Sequence, residues 1–184
     1  MTQKNIYCII GPTAIGKTDY AISLAKQLKA NIISADAFQV YKHMDIGTAK
    51  PSKDQLSQVQ HHLIDIKEPD DAYSLYEFLN LTKSIIEKNR QSNTPTILCG
   101  GTGLFIRAFL YQYKLPDVQT NDALRDALEH RYDTLGGQSL WETLHAIDPI
   151  TAKTIHPNNK HHLIRALELV ELTGQSPSSL KAQQ

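Results

Sequence analysis

The chain has 184 residues, enough for one well-buried domain with a small appendage and short for two full domains. Hydrophobic residues make up 41% and charged residues 21%, which excludes a disordered chain, and no apolar run approaches the length of a membrane span or of a signal-peptide core. Lys+Arg and Asp+Glu stand at 19 each, so a nucleic-acid partner must be met by a local patch, because no global positive field exists. These features lead us to expect a cytoplasmic protein with no membrane partner.

In chain order, "IYCII" (6–10) is an apolar run with β-branched residues and predicts a first strand. The loop "GPTAIG" follows, and "KTDYAISLAKQLK" predicts a helix with Tyr20, Ile22, Leu24 and Leu28 as candidate apolar positions. "NIISA" (31–35) predicts a second strand ending at Asp36, and "HHLIDI" (61–66) a third. "SLYEFLNLTKSIIEKNR" opens with Ser74 and Glu77 at capping-box spacing and continues with helical periodicity. "TPTILCGG" (94–101) predicts a fourth strand, running into the turn "GGTG" and a short helix "LFIRAFL". Strands alternating with helices imply an α/β fold with a parallel sheet wrapped by helices, P-loop NTPase-like in its opening.

After about Leu115 the character changes, and no strand is predicted. Helices are expected after Asn121, after Ser139 as cap with Glu142 three residues on, after Asp148 with Pro149 in the first position, and from about Asn158 to Thr173 with Gly174 behind it. We expect two parts: a P-loop α/β core over 1–115 and a helical appendage over 116–184. Cys8 and Cys99 each lie inside an apolar run and read as small buried strand residues in a reducing compartment. Adjacent histidines point apart on a strand and lie about 100° apart on a helix, so neither His61-His62 nor His161-His162 reads as a metal centre.

Gly11, Gly16, Lys17 and Thr18 fit G-x-x-x-x-G-K-[ST] between a strand and a helix. The glycines let backbone N–H groups turn inward, the helix start adds partial positive charge, and Lys17 supplies a full one. The phosphate-binding candidates are thus Gly11, Pro12, Thr13, Ala14, Ile15, Gly16, Lys17 and Thr18, with the Thr18 hydroxyl as the candidate ligand for Mg²⁺. The loop does not specify whose phosphate it holds. Asp36 sits at the carboxyl end of the second strand, on the edge where α/β ligands collect. A carboxylate there can hold Mg²⁺ through water, accept a proton from a hydroxyl or an amine, or simply cap a turn.

"GPTAIGKT", "DAFQVYKHMDIGTAKP", "HHLIDIKEPDDAYSLYEF", "GGTGLFIRAFL" and "IHPNNKHHLIRALELVELTG", taken together and in this order, resemble the tRNA dimethylallyltransferase (tRNA isopentenyltransferase) family from residue 8 to about 175. The resemblance implies that the loop holds the diphosphate of dimethylallyl diphosphate, and that the allyl group moves to the exocyclic amine of the adenosine beside the anticodon of tRNA. It implies Asp36 as the candidate base, with Lys17 and Thr102 beside it in catalysis. Thr102 is open to two roles, a bond to diphosphate or amine and an ordinary turn threonine. The segment Asp36, Ala37, Phe38 and Gln39 is implied to contact the target nucleotide, Gln39 either reading a base edge or serving as a structural amide. Thr48 and Lys50 are implied to line the site, and His61 and His62 to be structural.

From Pro149 to Leu167 the chain carries Lys153, His156, Lys160, His161, His162 and Arg165 and no acidic residue. That is a local basic stretch suited to phosphate contacts, or else a solvated helix face. The resemblance favours tRNA contact through His161, His162 and Arg165, although the family commonly has Gln-Arg where His161-His162 stands. The target adenine must then leave its stack to be reached. Family chains continue well past "SPSSLKAQQ", so we expect marginal stability and weak or absent catalysis from this length. The resemblance is compatible with a monomer that binds the anticodon arm. Two alternatives stand beside it: an inactive tRNA-binding remnant, and a nucleotide or small-molecule kinase with a phosphate loop and an Asp after the second strand.

Overall fold

Residues 6–113, 115 and 121–182 are described by the computed structural model. The chain divides into two compact units, Met1–Gln112 and Tyr113–Gln184. The boundary expected near residue 116 lies outside the described residues.

In the first unit, strands β1 (Ile6–Ile10), β2 (Asn31–Ser34), β3 (His61–His62) and β4 (Thr96–Gly100) form one parallel sheet in the order β1-β4-β2-β3. The strands alternate their side chains between two covered faces, as parallel sheets do. Ile32 of β2 and Ile97 of β4 point to helix α1 (Lys17–Leu28), where they pack with Ala21, Ile22 and Ala25. Ile33 and Leu98, one residue on, pack on the other face with Phe78 and Ile86 of α3 (Leu75–Gln91) and Phe105 and Ile106 of α4 (Gly103–Leu110), the short helix α2 (Lys53–Leu56) lying between β2 and β3 in sequence. Phe78 and Phe105 stack with centroids 4.5 Å apart.

Several local expectations change. α1 buries Ala21, Ile22 and Ala25, while Tyr20 is exposed, so its inner face rests on small residues that let the helix approach the sheet. The third strand is two residues long rather than six. Leu63 and Asp65 take left-handed backbone (φ 61° and 53°), and the chain then pairs with 39–42 through Asp65 N to Gln39 O and Lys42 N to Lys67 O. Ser74 caps α3 by accepting from Glu77 N, but Glu77 pairs with Lys67 instead of closing the box. A full capping box forms at Ser52 and Gln55, at the unanticipated helix α2. Cys8 and Cys99 are half-buried free thiols on opposite faces, and burial pushes the Cys99 thiol up to about 11.

The second unit is helical among its described residues. α5 (Asp122–Ile147) is capped by Asn121 and interrupted at Gly136 (φ 80°, ψ 160°), so the break falls at a glycine and Ser139 lies inside the second helical stretch rather than at its cap. α6 (Pro149–Ala152) starts on Asp148 as expected, and α7 (Lys160–Thr173) runs from Asn159 to a left-handed Gly174. A further short helix, α8 (Pro177–Ala182), follows. Leu128, Leu140, Leu144, Leu163 and Leu167 form the core. Among the described residues no helix is long and apolar enough to cross a membrane.

Candidate active site

β1, β4 and β2 are adjacent and parallel in that order, so the turns that follow them leave the sheet at one edge. With neighbouring strands about 4.8 Å apart, the loop after β1 and Asp36 after β2 stand two spacings apart, about 10 Å, with the β4 turn between them.

The loop from Pro12 to Gly16 is exposed, with Ala14 (φ 66°) and Gly16 (φ 86°) in left-handed conformation. Gly16 is the N-cap of α1 and offers no side chain, so the first N–H groups of the helix keep their capacity to hold an anion. Lys17 Nζ donates to the Pro12 carbonyl at 2.5 Å and lies 3.9 Å from where a Cβ on Gly101 would stand. The β4 turn therefore abuts the loop. Thr18 is half-buried, and its hydroxyl has no hydrogen-bond partner among the described residues.

On the other side, the same turn grips the Asp36 segment. Thr102 N donates to Ala35 O at 3.3 Å, and Thr102 Oγ1 accepts from Ala37 N at 3.0 Å, so bonds flank Asp36 on both sides. The Thr102 hydroxyl proton remains available to donate. Gly100 makes this approach feasible, because a Cβ there would stand 2.2 Å from Ala35 O. Asp36 Oδ1 accepts from Phe38 N at 2.9 Å and Gln39 N at 3.3 Å, which caps the turn and fixes the carboxylate. No described residue donates to Oδ2, so one oxygen is held and the other has no donor within the unit.

The rest of the segment is anchored from below. Gln39 Oε1 accepts from Ser34 Oγ at 3.0 Å and its Nε2 donates to the carbonyls of Thr48 and Ala49, so both ends of the amide are used inside the unit. Thr48 Oγ1 donates to Met44 O at 2.6 Å. Lys50 has a side chain only 3% exposed and donates to Tyr41 O, Asp45 and Asp65. Burial pulls its pKa down, and the two carboxylates outweigh that and leave it raised. Ala37 is half-buried, while Phe38 is 60% exposed and borders, with Met44 and Ile46, an open cavity of about 530 Å³. His61 Nδ1 meets Val59 O at 2.9 Å, and burial lowers the pKa of both His61 and His62.

The second unit carries the other candidates. His161 and His162 are exposed at the start of α7, with ring centroids 5.5 Å apart, and His162 Nδ1 lies 2.9 Å from the capping Asn159 Oδ1. Arg165 donates to the buried Glu168 at 2.7 Å. Lys160 donates to Asp133 at 2.8 Å and has Glu129 at 3.7 Å. The stretch that is purely basic in sequence is thus faced by carboxylates of α5 and by Glu168. Arg125, Glu129 and Asp133 lie outside the motifs quoted above, and Glu168 lies inside the last of them with no role read for it. The one available signal was a carboxylate on the apolar face of a helix, between Leu163, Ile164, Ala166 and Leu167 on one side and the next turn on the other.

A strand, a turn with the phosphate-loop pattern and a helix, on one edge of a parallel sheet with a half-free carboxylate and a threonine hydroxyl, define the class as an α/β fold of the P-loop NTPase-like kind. The chain belongs to the IPP transferase family, which it matches over residues 39–184. It is 46% identical over 175 residues to the tRNA dimethylallyltransferase of Geobacillus thermodenitrificans, covering 95% of this chain and 55% of that protein. It is also similar to the solved full-length tRNA isopentenylpyrophosphate transferase of Bacillus halodurans (42% identity, 95% of this chain and 57% of that one, TM-score 0.60). A solved eukaryotic dimethylallyltransferase acting on tRNA matches at 25% identity over 98% of this chain and 45% of its own, with TM-score 0.83. The chain spans about half the length of these relatives.

Proposed function

We propose that this chain carries the donor-binding and acceptor-activating part of a cytoplasmic tRNA dimethylallyltransferase, which moves a dimethylallyl group from dimethylallyl diphosphate to the exocyclic amine of the adenosine beside the anticodon. The observation that carries this proposal is the shared edge: loop, Thr102 and Asp36 follow three neighbouring parallel strands.

In this assignment Gly11 to Thr18 cradle the diphosphate. The adenine amine is a poor nucleophile, because its lone pair is shared with the ring. As its nitrogen bonds to the allylic carbon, its proton passes to Asp36 and the C–O bond to diphosphate breaks. Accepting that proton is worth roughly 10²- to 10⁴-fold. Negative charge collects on the departing diphosphate, where Lys17 and the loop N–H groups meet it. The Thr102 hydroxyl bonds the diphosphate or the amine while holding Asp36 in place.

Among the described residues no group of three or more His, Cys, Asp or Glu is placed to hold a metal ion. The unpartnered Thr18 hydroxyl fits Mg²⁺ held mainly by substrate phosphate oxygens and water, which is how Mg²⁺ commonly binds. Bound there, Mg²⁺ would supply neutralising charge to the diphosphate. The segment Asp36 to Gln39 faces the target nucleotide, and His161, His162 and Arg165 contact the anticodon arm. We take the protein to act as a monomer.

The test is incubation of unmodified tRNA with labelled dimethylallyl diphosphate and Mg²⁺, with ATP as competing donor. Prenyl transfer, even at a low rate, supports the reading. Phosphate transfer would point to a kinase, and RNA retention with neither to a binding remnant. Asp36→Asn should cut transfer by roughly 10²- to 10⁴-fold while donor affinity stays within about twofold.

A further inference from the structure

Glu168 is fully buried, yet it serves two arginines at once. Arg125 of α5 donates to both of its oxygens through one nitrogen, Nη2, at 3.1 and 3.2 Å. Arg165 of α7 donates to Oε2 through Nη1 alone, at 2.7 Å. No hydrogen bond among the described residues uses Nε or Nη1 of Arg125, or Nε or Nη2 of Arg165. Both guanidinium groups are about 40% exposed and line a cavity of about 360 Å³ together with Glu129, Lys160, His161 and Glu168.

A carboxylate shared in this way does more than pin two helices. Arg165 keeps Nε and Nη2, which share one edge of the guanidinium and can meet a phosphate bidentately, while Arg125, held through Nη2, keeps Nε and Nη1, which lie on different edges and donate singly. Burial leaves Glu168 unable to reach solvent, while the arginines can. Lys160 is already matched by Asp133 and Glu129, so the cationic donors left open toward the cavity are those of the two arginines.

We propose that Arg125 and Arg165 form a two-arginine clamp for an RNA phosphodiester, and that Glu168 is its positioning residue. This rests on the tRNA reading above and adds Arg125 and Glu168 to it. The clamp contributes affinity and register rather than base specificity.

The test measures binding of an unmodified anticodon stem-loop RNA by the full chain, between about 50 and 200 mM KCl. Arg125→Gln should weaken binding about tenfold and flatten the slope of log K against log salt by about 0.7 to 0.9, the loss of one phosphate contact. Arg125→Lys should keep the slope and recover part of the affinity. Glu168→Gln adds net positive charge, so attraction alone predicts tighter binding; a positioning role predicts binding several-fold weaker. Circular dichroism checks that each variant is folded, and should Glu168→Gln fail to fold, the Arg125 pair decides. Parental affinity and slope in Arg125→Gln overturn the clamp and leave the transferase reading intact. A parent chain that binds no RNA at low salt also overturns the clamp. The transfer assay and donor binding then show whether the transferase reading falls with it.

Discussion

Asp36 and Asp148 are both helix- or turn-capping carboxylates, and their surroundings give them opposite characters. Asp36 spends one oxygen on two backbone N–H groups and keeps the other open. Asp148 spends both. Oδ1 accepts from Thr151 N, and Oδ2 from the Thr151 hydroxyl and Ser178 N, the last tying α8 to the start of α6. Burial works to raise the Asp148 pKa, but the bonds from Thr151 and Ser178 outweigh it and hold the carboxyl down to about 2. A depressed folded-state pKa gives stability that is complete above the unfolded value near 3.9 and lost as pH falls through about 2. Acid titration followed by α7 and α8 amide signals should show about 2 kcal/mol leaving the helical unit between about pH 4 and pH 2, and Asp148→Asn should remove that step.

Between elements, the decisive contact is backbone against backbone. Gly100 ends β4 where the Ala35 carbonyl of the neighbouring chain segment passes, and a Cβ there would stand 2.2 Å from that oxygen. No side-chain rotation relieves such a clash. Gly100→Ala should therefore cost about 3 kcal/mol in urea unfolding, at the upper end of overpacking penalties. Because the displaced turn carries Thr102, which bonds Ala35 and Ala37, transfer should fall more than stability alone explains. Gly101→Ala is the control: its Cβ would stand 3.3 Å from Gly11 O, a tight fit that a small shift can relieve. The short β3 belongs to the same scale. Its strand pattern over 61–66 is overridden because Leu63 and Asp65 turn left-handed, which brings Asp65 to Lys50 and braces the segment after Asp36.

For the whole molecule, two compact units with separate cores mean that a ligand of one need not be felt by the other. Dimethylallyl diphosphate with Mg²⁺, at about 100 times its Kd, should stabilise its host by about 2.7 kcal/mol. Hydrogen exchange should slow in β1, β4 and α1, with rates in α7 unchanged. Equal protection in α7 would show that the units unfold as one cooperative body.

Sequence alone determined the strand, turn and helix around Gly11 to Thr18, the strands β1, β2 and β4, and the helix ends at Asn121, Asp148 and Gly174, because each is written in contiguous residues with a fixed local geometry. It also supplied the family, through motifs in a fixed order. Only the tertiary structure decided that β4 lies between β1 and β2, so that its turn meets the loop at Gly101 and the Asp36 segment at Thr102, since strand order depends on which faces and edges pack rather than on any local pattern. It likewise decided that Gln39 has both ends of its amide engaged, that Lys50 is buried between two aspartates, and that a basic stretch is met by acids from α5. Those partners stand far away along the chain, and charge is neutralised by what is near in space.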